Sequence, residues 1–77
     1  MPRSLLPLGR VIKQRREALA LSQEKLAERC GFDRTYISML ERGLRNPSLQ
    51  NLFKLADGLG TSVSQLTEVY DGPDANR

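Results

Sequence analysis

The sequence predicts an all-α fold, a compact five-helix domain built round a helix-turn-helix. Leu21 to Gly43, LSQEKLAERCGFDRTYISMLERG, holds two short helical patterns joined by a turn of a few residues. Apolar residues on either side recur at helical spacing. Serines at 22, 48 and 62 stand where N-caps belong, and glycines at 31, 43 and 60 stand where helices exit.

Residues 1–7 read as an N-terminal arm, because Pro2 and Pro7 resist continuous helix and no apolar period runs through them. Helix 1 is expected from Leu8 to about Ala20, with Leu8, Val11, Ile12 and Leu19 as its inner stripe. Ser22 caps helix 2, whose inward residues are Leu26, Ala27 and Cys30 and whose end is Gly31. After the turn Gly31-Phe32-Asp33, Asp33 is expected to accept a backbone N–H at the start of helix 3, which runs from Arg34 toward Gly43. A loop over 44–47 leads to Ser48 as the cap of helix 4, with Leu49, Leu52, Phe53, Leu55, Ala56 and Leu59 supplying much of the core until Gly60 stops it. Ser62 and Gln65 form a capping-box pattern that opens a short helix 5 to about Tyr70. The domain therefore spans 8–70, and 71–77 read as a frayed tail.

On a wheel at about 100° per residue, helix 3 divides into two arcs. With Arg34 at zero, Ser38, Arg42 and Thr35 fall at roughly 40°, 80° and 100°, while Tyr36, Leu40 and Ile37 fall at roughly 200° to 300°. One arc suits a core. The other carries what a major-groove helix needs: guanidinium groups able to bond guanine O6 and N7, and hydroxyls able to bond base edges or phosphates. Arg34, Thr35, Ser38 and Arg42 are thus the expected base-contacting residues, each with a solvated-surface alternative, and Arg42 suits the DNA backbone at least as well. Arg45 and Asn46, with the backbone of Leu44 and Ser48, are placed to grip phosphates beyond helix 3, contacts that set register rather than sequence. Tyr36 lies on the inner arc, so it is read as core packing whose hydroxyl can reach a phosphate.

Charge agrees with an anionic partner. Residues 1–54 hold eleven Lys or Arg against five Asp or Glu, whereas residues 55–77 hold four acidic groups and one Arg, so a basic body is followed by an acidic end. With 77 residues the chain has a modest core, which a partner subunit would supplement. The single cysteine, Cys30, excludes an internal disulfide and is read as a small core residue. No apolar run reaches membrane-spanning length and the start is too short for a secretory signal, so a soluble, cytoplasmic protein is expected. There is no histidine, metal-ligand cluster, phosphate cradle or paired nucleophile and base, which argues against an enzyme, a metal site or a cofactor.

The chain resembles the phage-repressor and Cro (XRE-type) helix-turn-helix regulators over roughly Leu8 to Leu66. The resemblance rests on LSQ, three intervening residues and then alanine at 27, then glycine, then I-S with a glycine five residues after the serine, and on the later Leu49-Gln-Asn-Leu-Phe-Lys-Leu-Ala and Leu59-Gly60-Thr-Ser-Val. DRTYIS followed by ER is similar to the controller proteins of restriction-modification systems. The resemblance implies a lambda-repressor-like DNA-binding domain. It implies that Gln23 bonds a phosphate and buttresses the recognition helix, and that Glu41, which the wheel turns toward the interior, pairs with Arg16. It also marks two departures. Ala20 stands where the family usually has glycine, which demands either a different turn or strain of about 1 kcal/mol, and Arg15 stands where leucine is common, its stem packing while its head reaches outward.

One recognition helix reads only a few base pairs, so a homodimer on a palindromic site of double-stranded DNA is expected. Val63, Leu66, Val69 and Tyr70 of helix 5 are the expected interface, or else they complete the monomer core. The expected function is sequence-specific transcriptional regulation; the alternative is a protein-interaction module, an antitoxin or coactivator-like subunit, on the same fold. Contact with RNA polymerase is left open.

Overall fold

Five helices follow one another in the computed structural model, which describes residues 3–71: α1 (Leu6–Ala18), α2 (Gln23–Cys30), α3 (Arg34–Glu41), α4 (Leu49–Leu59) and α5 (Val63–Thr67), the last continued by a 3-10 turn over Glu68–Tyr70. No strand occurs among the described residues. Of the expected arm and tail, residues 1–2 and 72–77 lie outside the described residues.

The caps are local chemistry. Ser22, Ser48 and Ser62 are extended, and their side chains accept the backbone N–H of Lys25, Asn51 and Gln65 at 3.0, 3.1 and 3.1 Å. Each takes one of the donors that a helix start leaves unpaired. The exits also share one geometry. Gly31 is left-handed at φ 76°, and the next residue, Phe32, donates back to the Ala27 carbonyl at 2.8 Å. Ala20, at φ 57°, makes the same turn without glycine: Leu21 N–H reaches the Arg16 carbonyl at 3.1 Å. Of the two geometries the sequence allowed at Ala20, the strained left-handed one is adopted.

The core draws on every helix. Ile12, Leu26, Ile37, Leu40, Leu55 and Leu66 are its largest fully buried side chains. α1 packs on α3 and α5, and α2 packs on α3 and α4. At the α1–α3 crossing a Cβ on Gly9 would stand 2.5 Å from the carbonyl oxygens of Leu40 and Glu41, so only glycine allows this approach. Cys30 is buried against Gly58, and burial pushes its thiol up, which keeps it protonated and unreactive.

Several expectations are corrected. α1 begins at Leu6 rather than Leu8, because Pro7 sits in the first turn, where no backbone N–H is required of it. The expected arm is thus shorter, and it is tied down: Leu6 N–H donates to Ser4 Oγ at 3.1 Å, and Tyr70 Oη donates to the Ser4 carbonyl at 2.8 Å. Asp33 occupies the N-cap of α3 but accepts no bond with its side chain. The capping box at α5 is half formed, since Gln65 meets the Thr61 hydroxyl instead of a backbone N–H. Leu19, Leu49 and Phe53, expected inside, are 45%, 62% and 49% exposed, because no helix covers those sides of α1 and α4. Leu66, expected at a subunit interface, has no exposed surface and belongs to the monomer core.

Candidate nucleic-acid interface

α3 presents two unlike surfaces. Ile37 and Leu40 are buried and anchor it, whereas Arg34, Thr35 and Arg42 are exposed and Ser38 is half-buried. Arg42 follows the last helical residue and folds back, its Nε donating to the Ser38 carbonyl at 3.4 Å, so its guanidinium lies along the helix end. The four residues expected to face bases therefore share one accessible side, with Ser38 the most recessed.

What holds this helix at a fixed angle is a buried polar network at its far end. Arg16 Nε and Nη2 reach Glu41 Oε2 and Oε1 at 2.6 and 3.0 Å, a two-pronged ion pair between α1 and α3. Gln23 Nε2, at the start of α2, donates to Glu41 Oε1 at 3.0 Å. Arg16 Nη1 bonds the Leu21 carbonyl at 2.8 Å, inside the turn between α1 and α2. Every donor that faces the carboxylate is thereby used, and no buried side-chain polar atom among the described residues lacks a partner. The hydrogen bond to Glu41 raises the Arg16 pKa in spite of the opposing cost of burial. Gln23 thus touches α3 by way of Glu41, while Arg15 next to the pair is half-buried on the α1 surface.

A second cluster flanks the opposite end of α3. The Tyr36 ring meets Phe32 edge-on, with centroids 4.8 Å apart, and Arg45 stacks 5.1 Å from its centroid. Asn51 Nδ2 donates to the Tyr36 hydroxyl at 3.0 Å. Tyr36 is consequently half-buried at the edge of the core rather than inside it. Arg45 and Asn46 are exposed in the loop between α3 and α4, next to the buried Pro47, and Ser48 begins α4 with its hydroxyl oxygen occupied as a cap. Thr35, Tyr36, Met39, Arg45 and Asn51 line an open concavity of about 500 Å³. The sequence does not mark Asn51 as a site residue. The available signal was its place three residues after a capping serine, which points to helix geometry and says nothing of a tyrosine 15 positions upstream.

The helix 5 residues separate. Leu66 is core; Val63 is half-buried against it; Val69 is 48% exposed. Tyr70 is half-buried with its hydroxyl accepting the Leu8 N–H at 3.2 Å, which caps the start of α1 from 62 residues away. Among the described residues there is no cluster of metal-ligating side chains, and no helix is long and apolar enough to cross a membrane.

The family described as helix-turn-helix matches residues 12–66. Control protein C.MunI of a Mycoplasma species is 50% identical over 54 residues, which cover 70% of this chain and 73% of that protein. Control protein C.BamHI of Bacillus amyloliquefaciens is 44% identical over 64 residues, covering 82% and 79%. Among solved structures, the restriction-modification controller protein C.AhdI from Aeromonas hydrophila superposes with a TM-score of 0.79 at 44% identity, over 80% of this chain and 94% of its own.

Proposed function

This chain belongs to the helix-turn-helix family of XRE-type transcription regulators, and from that premise we propose that it binds a palindromic DNA operator as a homodimer, laying α3 in the major groove. Its relatives are regulators and control proteins, and it is a DNA-binding regulator rather than an enzyme. The observation that carries the proposal is the division of α3: Arg34, Thr35 and Arg42 are exposed with Ser38 beside them, while Ile37, Leu40 and Glu41 are held from behind. Arg34, Thr35, Ser38 and Arg42 then meet base edges. Gln23, Tyr36, Arg45, Asn46 and Ser48 meet phosphates on either side, helped by the free backbone donors at the start of α2. The Arg16–Glu41 pair serves only to hold the reading head.

A second copy covers the apolar surface that one copy leaves bare. Val69, with the half-buried Val63 and Tyr70, contributes from the expected segment. Leu49 and Phe53, four residues apart on one side of α4, take the place of Leu66. Two α3 helices about 34 Å apart then meet successive major grooves. In the cytoplasm such a dimer senses its own concentration, which suits a controller of the kind its relatives are named for.

Duplexes selected from random DNA, followed by fluorescence anisotropy and sedimentation, test this. The expected outcome is a palindromic consensus, a dimer, and a log–log salt slope near −0.9 for each phosphate contacted. A monomer at all concentrations, or a selected pool without symmetry, refutes the dimeric reading. Binding with no sequence preference favours the same fold used as a protein-interaction module.

A further inference from the structure

Tyr36 is held from three directions by residues outside its own helix: Phe32 at the ring edge, Arg45 over the ring face, and Asn51 at the hydroxyl. A phenolic oxygen has one proton to donate and lone pairs to accept with. Here the Asn51 amide at 3.0 Å occupies an acceptor position, so what the hydroxyl still offers to the neighbouring concavity is its proton. Asn51 is itself fixed. Its backbone N–H donates to Ser48 Oγ at 3.1 Å, so the cap of α4 orients the residue that orients Tyr36. The concavity is also lined by Thr35 and Arg45, a hydroxyl and a cation, against the single carboxylate of Asp33. A fixed O–H beside a guanidinium suits an anionic oxygen.

We propose that Asn51 is a positioning residue for DNA binding: it holds the Tyr36 hydroxyl so that its proton faces one phosphate oxygen of the backbone. This rests on the DNA-binding reading above. Asn51 touches no DNA in this arrangement and acts through Tyr36 alone. Its effect is therefore conditional on the tyrosine oxygen.

The test uses the full chain and its selected duplex, with affinities measured by anisotropy at one salt concentration. Tyr36→Phe is expected to weaken binding about tenfold, the worth of a hydrogen bond to a charged group. Asn51→Ala is expected to weaken it about three- to tenfold, and Asn51→Asp further, since a carboxylate takes the tyrosine proton for itself and repels the phosphate. The double variant Asn51→Ala with Tyr36→Phe is expected to bind within about twofold of Tyr36→Phe alone, because the second change has nothing left to act on. Tyr36→Phe is also expected to shift the Asn51 side-chain amide signals in the NMR spectrum of the free protein. Losses that multiply in the double variant, or an Asn51→Ala protein that binds as tightly as the unsubstituted one, overturn the proposal alone. An unsubstituted protein with no selective DNA binding overturns both this and the reading it rests on.

Discussion

Replacing Glu41 by Gln removes one atom's worth of charge and almost no volume, yet it strikes the junction of three helices. Three N–H donors converge on the carboxylate: Arg16 Nε at 2.6 Å, Arg16 Nη2 at 3.0 Å and Gln23 Nε2 at 3.0 Å. The two side chains of the pair are 11% and 4% exposed, so water cannot stand in for what is lost. An amide leaves one oxygen to accept and turns an NH₂ group toward donors, so at least one of the three converging N–H groups loses its partner while Arg16 Nη1 keeps the Leu21 carbonyl. Removing one partner of a buried pair costs about 3 to 5 kcal/mol. A domain of this size has roughly 4 to 12 kcal/mol in total, and each kcal/mol moves its melting point by about 4 to 8 °C. Glu41→Gln is therefore expected to melt at least about 12 °C lower, measured by circular dichroism at one fixed protein concentration because the proposed dimer would make the midpoint depend on concentration. Replacing both partners, Arg16→Met with Glu41→Leu, is expected to restore most of the loss. A Glu41→Gln protein that melts within about 2 °C of the parent refutes the reasoning. On the cation's side the pair is insensitive to pH: a base whose pKa is raised on folding stabilises below its unfolded value and loses that only as pH climbs through the higher folded one, far into alkali.

Ala20→Gly relieves a left-handed alanine at φ 57° but adds freedom to the unfolded chain, so a net gain of about 0.5 to 1 kcal/mol is expected, read as a melting point a few degrees higher; a lower one contradicts the strain. Arg34→Ala, at an exposed position, is expected to leave melting unchanged and to cost about 1 to 3 kcal/mol of discrimination at one operator position, whereas an equal loss on all sequences would make Arg34 a phosphate contact. Cys30 is expected to react with iodoacetamide only as fast as the protein unfolds; prompt labelling of the native state contradicts its burial. Because burial raises the thiol's pKa, the native state keeps its proton longer than the unfolded one. The associated stability is present below the unfolded value and declines as pH rises past it.

What the sequence determined by itself was set by interactions a few residues long. A serine accepts from the N–H three positions on, and a left-handed residue closes a helix on its own last turn, so the starts at Gln23, Leu49 and Val63 and the exits at Gly31 and Gly60 were legible without any neighbour. The polar arc of α3 was legible for the same reason, since helical periodicity alone separates Arg34, Thr35 and Ser38 from Ile37 and Leu40. Only family resemblance links Arg16 to Glu41 in the sequence, because nothing local joins residues 25 positions apart.

Only the tertiary structure decided which apolar residues are covered. Leu49 and Phe53 are as hydrophobic as Leu55 and Leu66, yet the first two are exposed and the last two are fully buried, because burial depends on whether another helix passes over that side. The same holds for polar partners. Asn51 bonds Tyr36 and Tyr70 caps α1 because packing brings distant segments within hydrogen-bond reach, and Asp33 has the right side chain at the right place without making the expected bond. Local chemistry chooses the elements; contact between elements chooses which of their surfaces remain free to meet a ligand.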